Sequence, residues 1–242
     1  MTTIELAYGL GLVMGLIALA LTGVTLGMRL SARRQEKGRQ AFRARWRPLL
    51  LQSLEGEPPR LPPLAKAQEI WFLELWNSHQ EMLRGQATRE ALNRLSRSAG
   101  MDRAAMRRLG RGTPQQRLAA ATALGFLQHA EAWDDLCRAA RDRDARLSLA
   151  AARALIQIDA GRALPVLSPL ISVRRDWPAA EVAALLDEAL DVVVAEALAA
   201  AARGASSSAA ARLIRFLEAT QCGPACAAVR SIAGEAADEE VL

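Results

Sequence analysis

Apolar positions in this chain change rhythm three times. From Leu6 to Met28 the sequence LAYGLGLVMGLIALALTGVTLGM holds 23 residues without a charge. A helix of that length is ~35 Å long, more than the ~30 Å hydrocarbon core of a bilayer, so the run predicts a transmembrane helix. Next, Phe42, Trp46, Leu50 and Leu54 recur at four-residue steps among arginines, the pattern of an amphipathic helix with a basic face. GEPPRLPPL, residues 56–64, then interrupts that helix, because proline lacks the N–H and crowds the preceding turn. From residue 65 onward apolar residues keep helical spacing in short segments broken by Gly, Pro and Asp, with no strand-like stretch. The predicted fold class is all-α. Three parts are expected: residues 1–30 as a membrane anchor, 31–63 as a basic juxtamembrane helix with a Pro-rich turn, and 64–242 as a repeat domain.

The repeat has a period of 31 residues. Leu124, Leu155, Leu186 and Leu217 coincide, as do Ala121, Ala152, Ala183 and Ile214. Ala123, Ala154, Leu185 and Phe216 form a third series, and Ala120 and Ala151 give way to Val182 and Leu213. Later in each unit Leu136, Leu167, Leu198 and Val229 align, as do Trp133, Leu164, Ala195 and Cys226. Each unit holds two short helices. One such hairpin cannot bury its own apolar faces, so stacked neighbours supply the core, and the alanines allow close packing. A more degenerate unit includes Ala91, Leu92 and Leu95. Before it, Ile70 to Leu73 with Leu75 and Trp76 predict a helix apolar on most sides, packed between neighbours.

RLAAATALGFLQHAEAWDDLCRAARDRDARLSLAAARALIQID, residues 117–159, resembles bacterial HEAT and HEAT-like repeats. Ala120, Ala121, Ala123, Leu124 and Gly125 carry the likeness, and Asp142 and Asp144 stand in the acidic link between units. LSLAAARAL, residues 147–155, departs from the pattern in having no Gly after Leu155. The short HEAT-like class fits the period better than units of ~40–47 residues. The resemblance implies a HEAT-like α-solenoid behind the transmembrane helix, with an extended surface for protein partners. It carries no activity over.

Charge sharpens the topology. Lys and Arg number 31 against 26 acids, but eight basic residues and one acid fall between Arg29 and Arg47, leaving 23 basic and 24 acidic side chains in residues 48–242. Arg33, Arg34, Lys37, Arg39, Arg43, Arg45 and Arg47 follow the uncharged run, which places the repeat domain in the cytoplasm and the N-terminus outside an inner (plasma) membrane. These residues also suit anionic headgroups. Ala18-Leu19-Ala20 offers a signal-peptidase site, but a cleaved leader carries its positive charge before the apolar run. Gly11, Gly15, Gly23 and Gly27 make two GxxxG units, candidates for packing a second helix, from a partner or from another copy of this chain. A nucleic-acid role for residues 29–47 is the alternative reading of the charge; no aromatic platform or groove-reading motif accompanies it.

Catalytic chemistry finds little to work with. Cys222 and Cys226 have neither the usual redox spacing nor a zinc complement, Cys137 is isolated, and His79 and His129 stand in different repeats. No P-loop, nucleotide fingerprint, G-x-S-x-G or H-E-x-x-H occurs. The sequence predicts a scaffold or adaptor for protein partners, a membrane complex among them, with no metal or cofactor; a HEAT-like enzyme of the lyase type is the alternative. Arg174, Arg175, Asp176 and Trp177 are the first interaction candidates, since Arg and Trp anchor interfaces, although Asp176 and Pro178 also suit a helix start. Trp76 and His79 form a second cluster. Arg117, Arg146, Arg153, Glu181, Arg212 and Arg215 are expected on a continuous face made by the second helix of each unit.

Overall fold

The computed structural model describes residues 3–54, 61–82 and 85–189, without the side chains of residues 3–13, 15, 17, 18, 172 and 186–189. Two compact units divide at Leu49/Leu50.

The first unit is helical. Helix α1 runs unbroken over Thr3–Gln52 and contains Pro48. It crosses the boundary expected near residue 30 because nothing between Met28 and Trp46 breaks a helix. Phe42 and Trp46 are buried and stack with ring centroids 5.4 Å apart, while Arg33, Arg34, Lys37, Arg43, Arg45 and Arg47 are exposed and Arg39 is half-buried. Among the described residues no helix is long and apolar enough to cross a membrane. Much of the run Leu6–Met28, with Gly11 and Gly15, lies outside the described side chains. Within its described part Met14, Leu16, Leu19, Leu21, Val24, Leu26 and Met28 are exposed, and open space surrounds Gly23 and Gly27.

The second unit is all-α among its described residues. Its helices are α2 (Glu69–Met82), α3 (Gln86–Ser98), α4 (Met101–Arg111), α5 (Pro114–Phe126), α6 (Trp133–Ala140), α7 (Ala145–Ile158), α8 (Ala160–Val173) and α9 (Ala179–Ala189), with a 3-10 turn at Ala130–Ala132. Helices α5 and α7 begin one repeat period apart, and their contact is the most extensive in the unit. The periodic positions are its core: Ala120, Ala121, Ala123 and Leu124 on α5 and Ala151, Ala152, Ala154 and Leu155 on α7 are almost fully buried, followed by Val182 and Leu185 on α9. Leu136 and Leu167 repeat this on α6 and α8. The positions of the period beyond Leu185 lie outside the described side chains.

Helix ends follow their sequence signals. Thr113 closes a capping box with Gln116, and Pro114 starts α5. Asp144 accepts the backbone N–H groups of Arg146 and Leu147 at α7, and Asp159 accepts that of Arg162 at α8. The period extends to polar contacts. Arg117 Nε donates to Leu109 O, and one period later Ser148 Oγ donates to Ala140 O, so each link ties a helix to a last-turn carbonyl of the helix before it.

Helix α2 packs between neighbours, as its mostly apolar surface predicts, touching α3, α4 and α5. It packs on α5 more extensively than α3 does, taking the first place in the row α2, α5, α7, α9. Trp76 is fully buried, its ring meeting Phe126 edge-on at 6.2 Å and its Nε1 donating to Leu92 O. Asn77 Nδ2 donates to Ala119 O. An apolar girdle explains that place: Phe72, Leu73 and Trp76 bury on several sides at once, which α3, with its strongly polar outer face, cannot do.

Candidate functional site

A groove of about 590 Å³ crosses the outward face of α2, α5, α7 and α9. Its floor follows the repeat. Leu118 and Leu149 stand one period apart, joined by Thr122, Phe126, Ala150 and Leu185. On α5, Leu118, Thr122 and Phe126 fall at four-residue steps, on the side of the helix opposite its buried alanines. Its rim carries both signs: Arg89, Arg146 and Arg153, with Glu81, Asp176 and Glu181.

One wall of the groove holds an unmet acceptor. Gln80 is 1% exposed, and its Nε2 donates to Asn93 Oδ1 at 2.8 Å. Asn93 Nδ2 in turn donates to Phe126 O at 2.9 Å. This relay fixes the amide, since a flipped Gln80 would set two oxygens against each other. Gln80 Oε1 then faces no donor among the described residues. A buried acceptor without a partner costs about 1–3 kcal/mol, so Gln80 is held here by its neighbours and not by a bond to its oxygen.

Arg146, Arg153 and Glu181 therefore share one surface, but on the first helices of the units. The expected assignment to second helices is corrected: α6 and α8 form the other layer. Arg117 is engaged elsewhere, in an ion pair with Asp142 at 2.9 Å. Arg212 and Arg215 lie outside the described residues, as do Cys222 and Cys226. The half-buried apolar residues of the groove, Leu118 and Leu149 above all, were missed by sequence reasoning; their signal is two leucines one period apart on the polar side of their helices.

The Arg174–Trp177 cluster ties units together. Trp177 is 2% exposed, and its Nε1 donates to Ser148 Oγ. Arg174 grips both carboxylate oxygens of Asp176 at 2.8 and 2.6 Å and reaches back to Asp142 O at 2.6 Å, with its guanidinium 5.6 Å from the Trp177 ring. The hydrogen-bonded Asp176 carboxylate holds the guanidinium charged, raising its pKa. Asp142 is the hub. Its carboxyl lies below the ordinary value, first because the backbone N–H of Asp144 donates to it and further because Arg117 pairs with it. Arg175 is exposed, and Asp176 alone of the four lines the groove. In α2, Trp76 and His79 are buried, and His79 Nδ1 donates to Leu75 O at 2.8 Å.

Reactive chemistry is sparse among the described residues. No group of three His, Cys, Asp or Glu side chains is arranged to hold a metal ion. Burial raises the Cys137 thiol pKa, the opposite of an activated nucleophile. His129 lies 3.7 Å from Glu131 on the rim of the 3-10 turn.

No curated protein and no solved structure matches the chain. The family described as HEAT repeats matches residues 103–187, so the stretch from within α4 to within α9, which contains most of the groove, is similar to HEAT repeats.

Proposed function

We propose that this protein is a membrane-anchored, non-enzymatic scaffold whose first-helix groove takes a segment of a partner protein belonging to a membrane complex. The groove carries the reading. It joins an apolar floor with charges of both signs, a combination suited to a peptide that supplies apolar and charged side chains together. HEAT repeats serve protein interaction in general, which fits such an occupant. The anchor rests on the uncharged run Leu6–Met28 and the basic block behind it; the same asymmetry supports an outside N-terminus and a cytoplasmic repeat domain. The glycine stripe is available for pairing with a second transmembrane helix.

The test is photo-crosslinking in native membranes from a reactive residue placed at Leu149 or Thr122 on the groove, with Arg138 on α6 as the control. The same adduct from both groove positions, absent at Arg138 and lost in Leu149→Glu, is expected; Leu149 is half-buried, so a matching melting temperature shows that the variant folds. Equal adducts from Arg138, or an adduct that survives Leu149→Glu, would refute the groove. Extraction of the chain by alkaline carbonate would refute the anchor separately.

A further inference from the structure

The near-neutral total of residues 48–242 conceals a polarised distribution. Residues 86–111, the α3–α4 hairpin, hold seven arginines, no lysine and two acids, whereas residues 118–242 hold 12 basic and 17 acidic side chains. On α4, Met101, Ala104, Ala105 and Leu109 face the core, and Arg103, Arg107 and Arg111 follow one another at four-residue steps on the opposite side. Their side chains thus leave the helix about 6 Å apart along its axis. Gly110 opens into free space, so no side chain stands up within the stripe, and half-buried Met106 borders it.

These charges are not used up inside the fold. Glu69 answers both Arg107 and Arg108, so one carboxylate serves two guanidiniums, and Arg107 stays 60% exposed. Arg94 on α3 and Arg103 and Arg111 on α4 are exposed and make no hydrogen bond or ion pair among the described residues. Like charges held this close destabilise the free protein, and the repulsion is relieved when an anionic surface covers them. Planar guanidinium forks in place of lysine ammoniums suit phosphate oxygens, which they engage two at a time.

We infer that the α4 arginine stripe, Arg103, Arg107 and Arg111, is a second membrane contact, one that binds the phosphates of anionic phospholipid headgroups. The choice of a lipid surface rests on the anchor reading above: a chain tethered by Leu6–Met28 meets the leaflet at high effective concentration, so weak individual contacts suffice. The stripe is distinct from the groove, whose lining includes none of Arg103, Arg107 or Arg111. It is also distinct from the basic block on α1.

The experiment uses the full chain reconstituted in vesicles of phosphatidylcholine alone or with about one third phosphatidylglycerol, a lipid of the anionic class that attracts basic residues. Arginine modification by phenylglyoxal, read residue by residue by mass spectrometry, is the measurement. In the anionic vesicles Arg103, Arg107 and Arg111 should react about 5-fold more slowly, the factor matching ~1 kcal/mol per basic residue near such a surface. Arg138 and Arg175, exposed outside the hairpin, should keep their rates. Arg103→Glu with Arg111→Glu, both exposed positions, should keep the helical fold, read by far-UV circular dichroism, and abolish the protection of Arg107 between them. Equal rates in the two vesicles would overturn the inference. So would protection that appears only when polyglutamate is added to neutral vesicles, which would assign the stripe to an acidic protein. Flotation with the neutral vesicles reports the anchor independently of the stripe.

Discussion

Gly125→Ala tests a close approach in the repeat core. Gly125 is the next-to-last residue of α5, and a Cβ built on it meets Gln157 Oε1 at 2.5 Å, Ala154 Cα at 2.7 Å and Ala154 Cβ at 2.9 Å. The glutamine tip can swing away. The two carbons of Ala154 cannot, because they belong to the buried centre of α7, and relieving them requires one helix to shift from the other. Overpacking of this kind costs about 1–3 kcal/mol, set against a gain of at most ~1 kcal/mol in helix propensity. The net expectation is a loss of ~1–2 kcal/mol, or a fall in melting temperature of about 2–8 °C for a domain of this size. Gly110→Ala supplies the control. It too is next to last in its helix, but nothing lies within 4 Å of its Cβ, so the propensity gain stands alone. Thermal unfolding followed by far-UV circular dichroism should therefore move in opposite directions for the two variants. If Gly125→Ala melts at or above the wild-type temperature, α5 and α7 do not approach as described and the packing argument is wrong.

Two further outcomes follow from the links between units. Ser148→Ala strips the partner from both Trp177 Nε1 and Ala140 O, whereas Trp177→Phe removes one donor and leaves Ser148 bonded to Ala140. Thermal melts should show Ser148→Ala destabilised by roughly 1–3 kcal/mol, and an unchanged melting temperature would contradict the relay; Trp177→Phe also empties part of a fully buried site, so its loss is not confined to the bond. Asp142 has a lowered carboxyl pKa, so its contribution is complete above the ordinary value of 3.8 and fades as pH falls through the lower folded value. The stability gap between wild type and Asp142→Asn should accordingly be constant near neutrality and close in acid. A gap that persisted at the lowest pH would mean that the charge of Asp142 is not what holds Arg117.

Periodicity made the core legible before any coordinates. Ala120, Ala121, Ala123 and Leu124, with their counterparts one period on, are buried because a helix that must bury one stripe repeats that stripe at fixed spacing. The caps at Asp144 and Thr113 are equally local, bonding backbone groups two or three residues away, but neither was singled out among the expected helix starts. The groove was only partly so. Arg146, Arg153 and Glu181 lie on it, but Gln80 reaches it through a relay from Asn93 to Phe126 that spans 33 residues at one step, and no local pattern announces such a bond.

By itself the sequence determined the helical class, the register of the repeat and the concentration of positive charge behind an uncharged run, since each depends on spacing along one chain. Which helix pairs with which was decided by tertiary structure. Helix α2 takes the place in the row beside α5 because Trp76 and its neighbours bury on several sides, and Trp177 turns from an apparent interface anchor into a strut because Ser148, 29 residues earlier, meets its indole nitrogen. Burial is a property of the neighbours a side chain acquires, and those neighbours come from other helices.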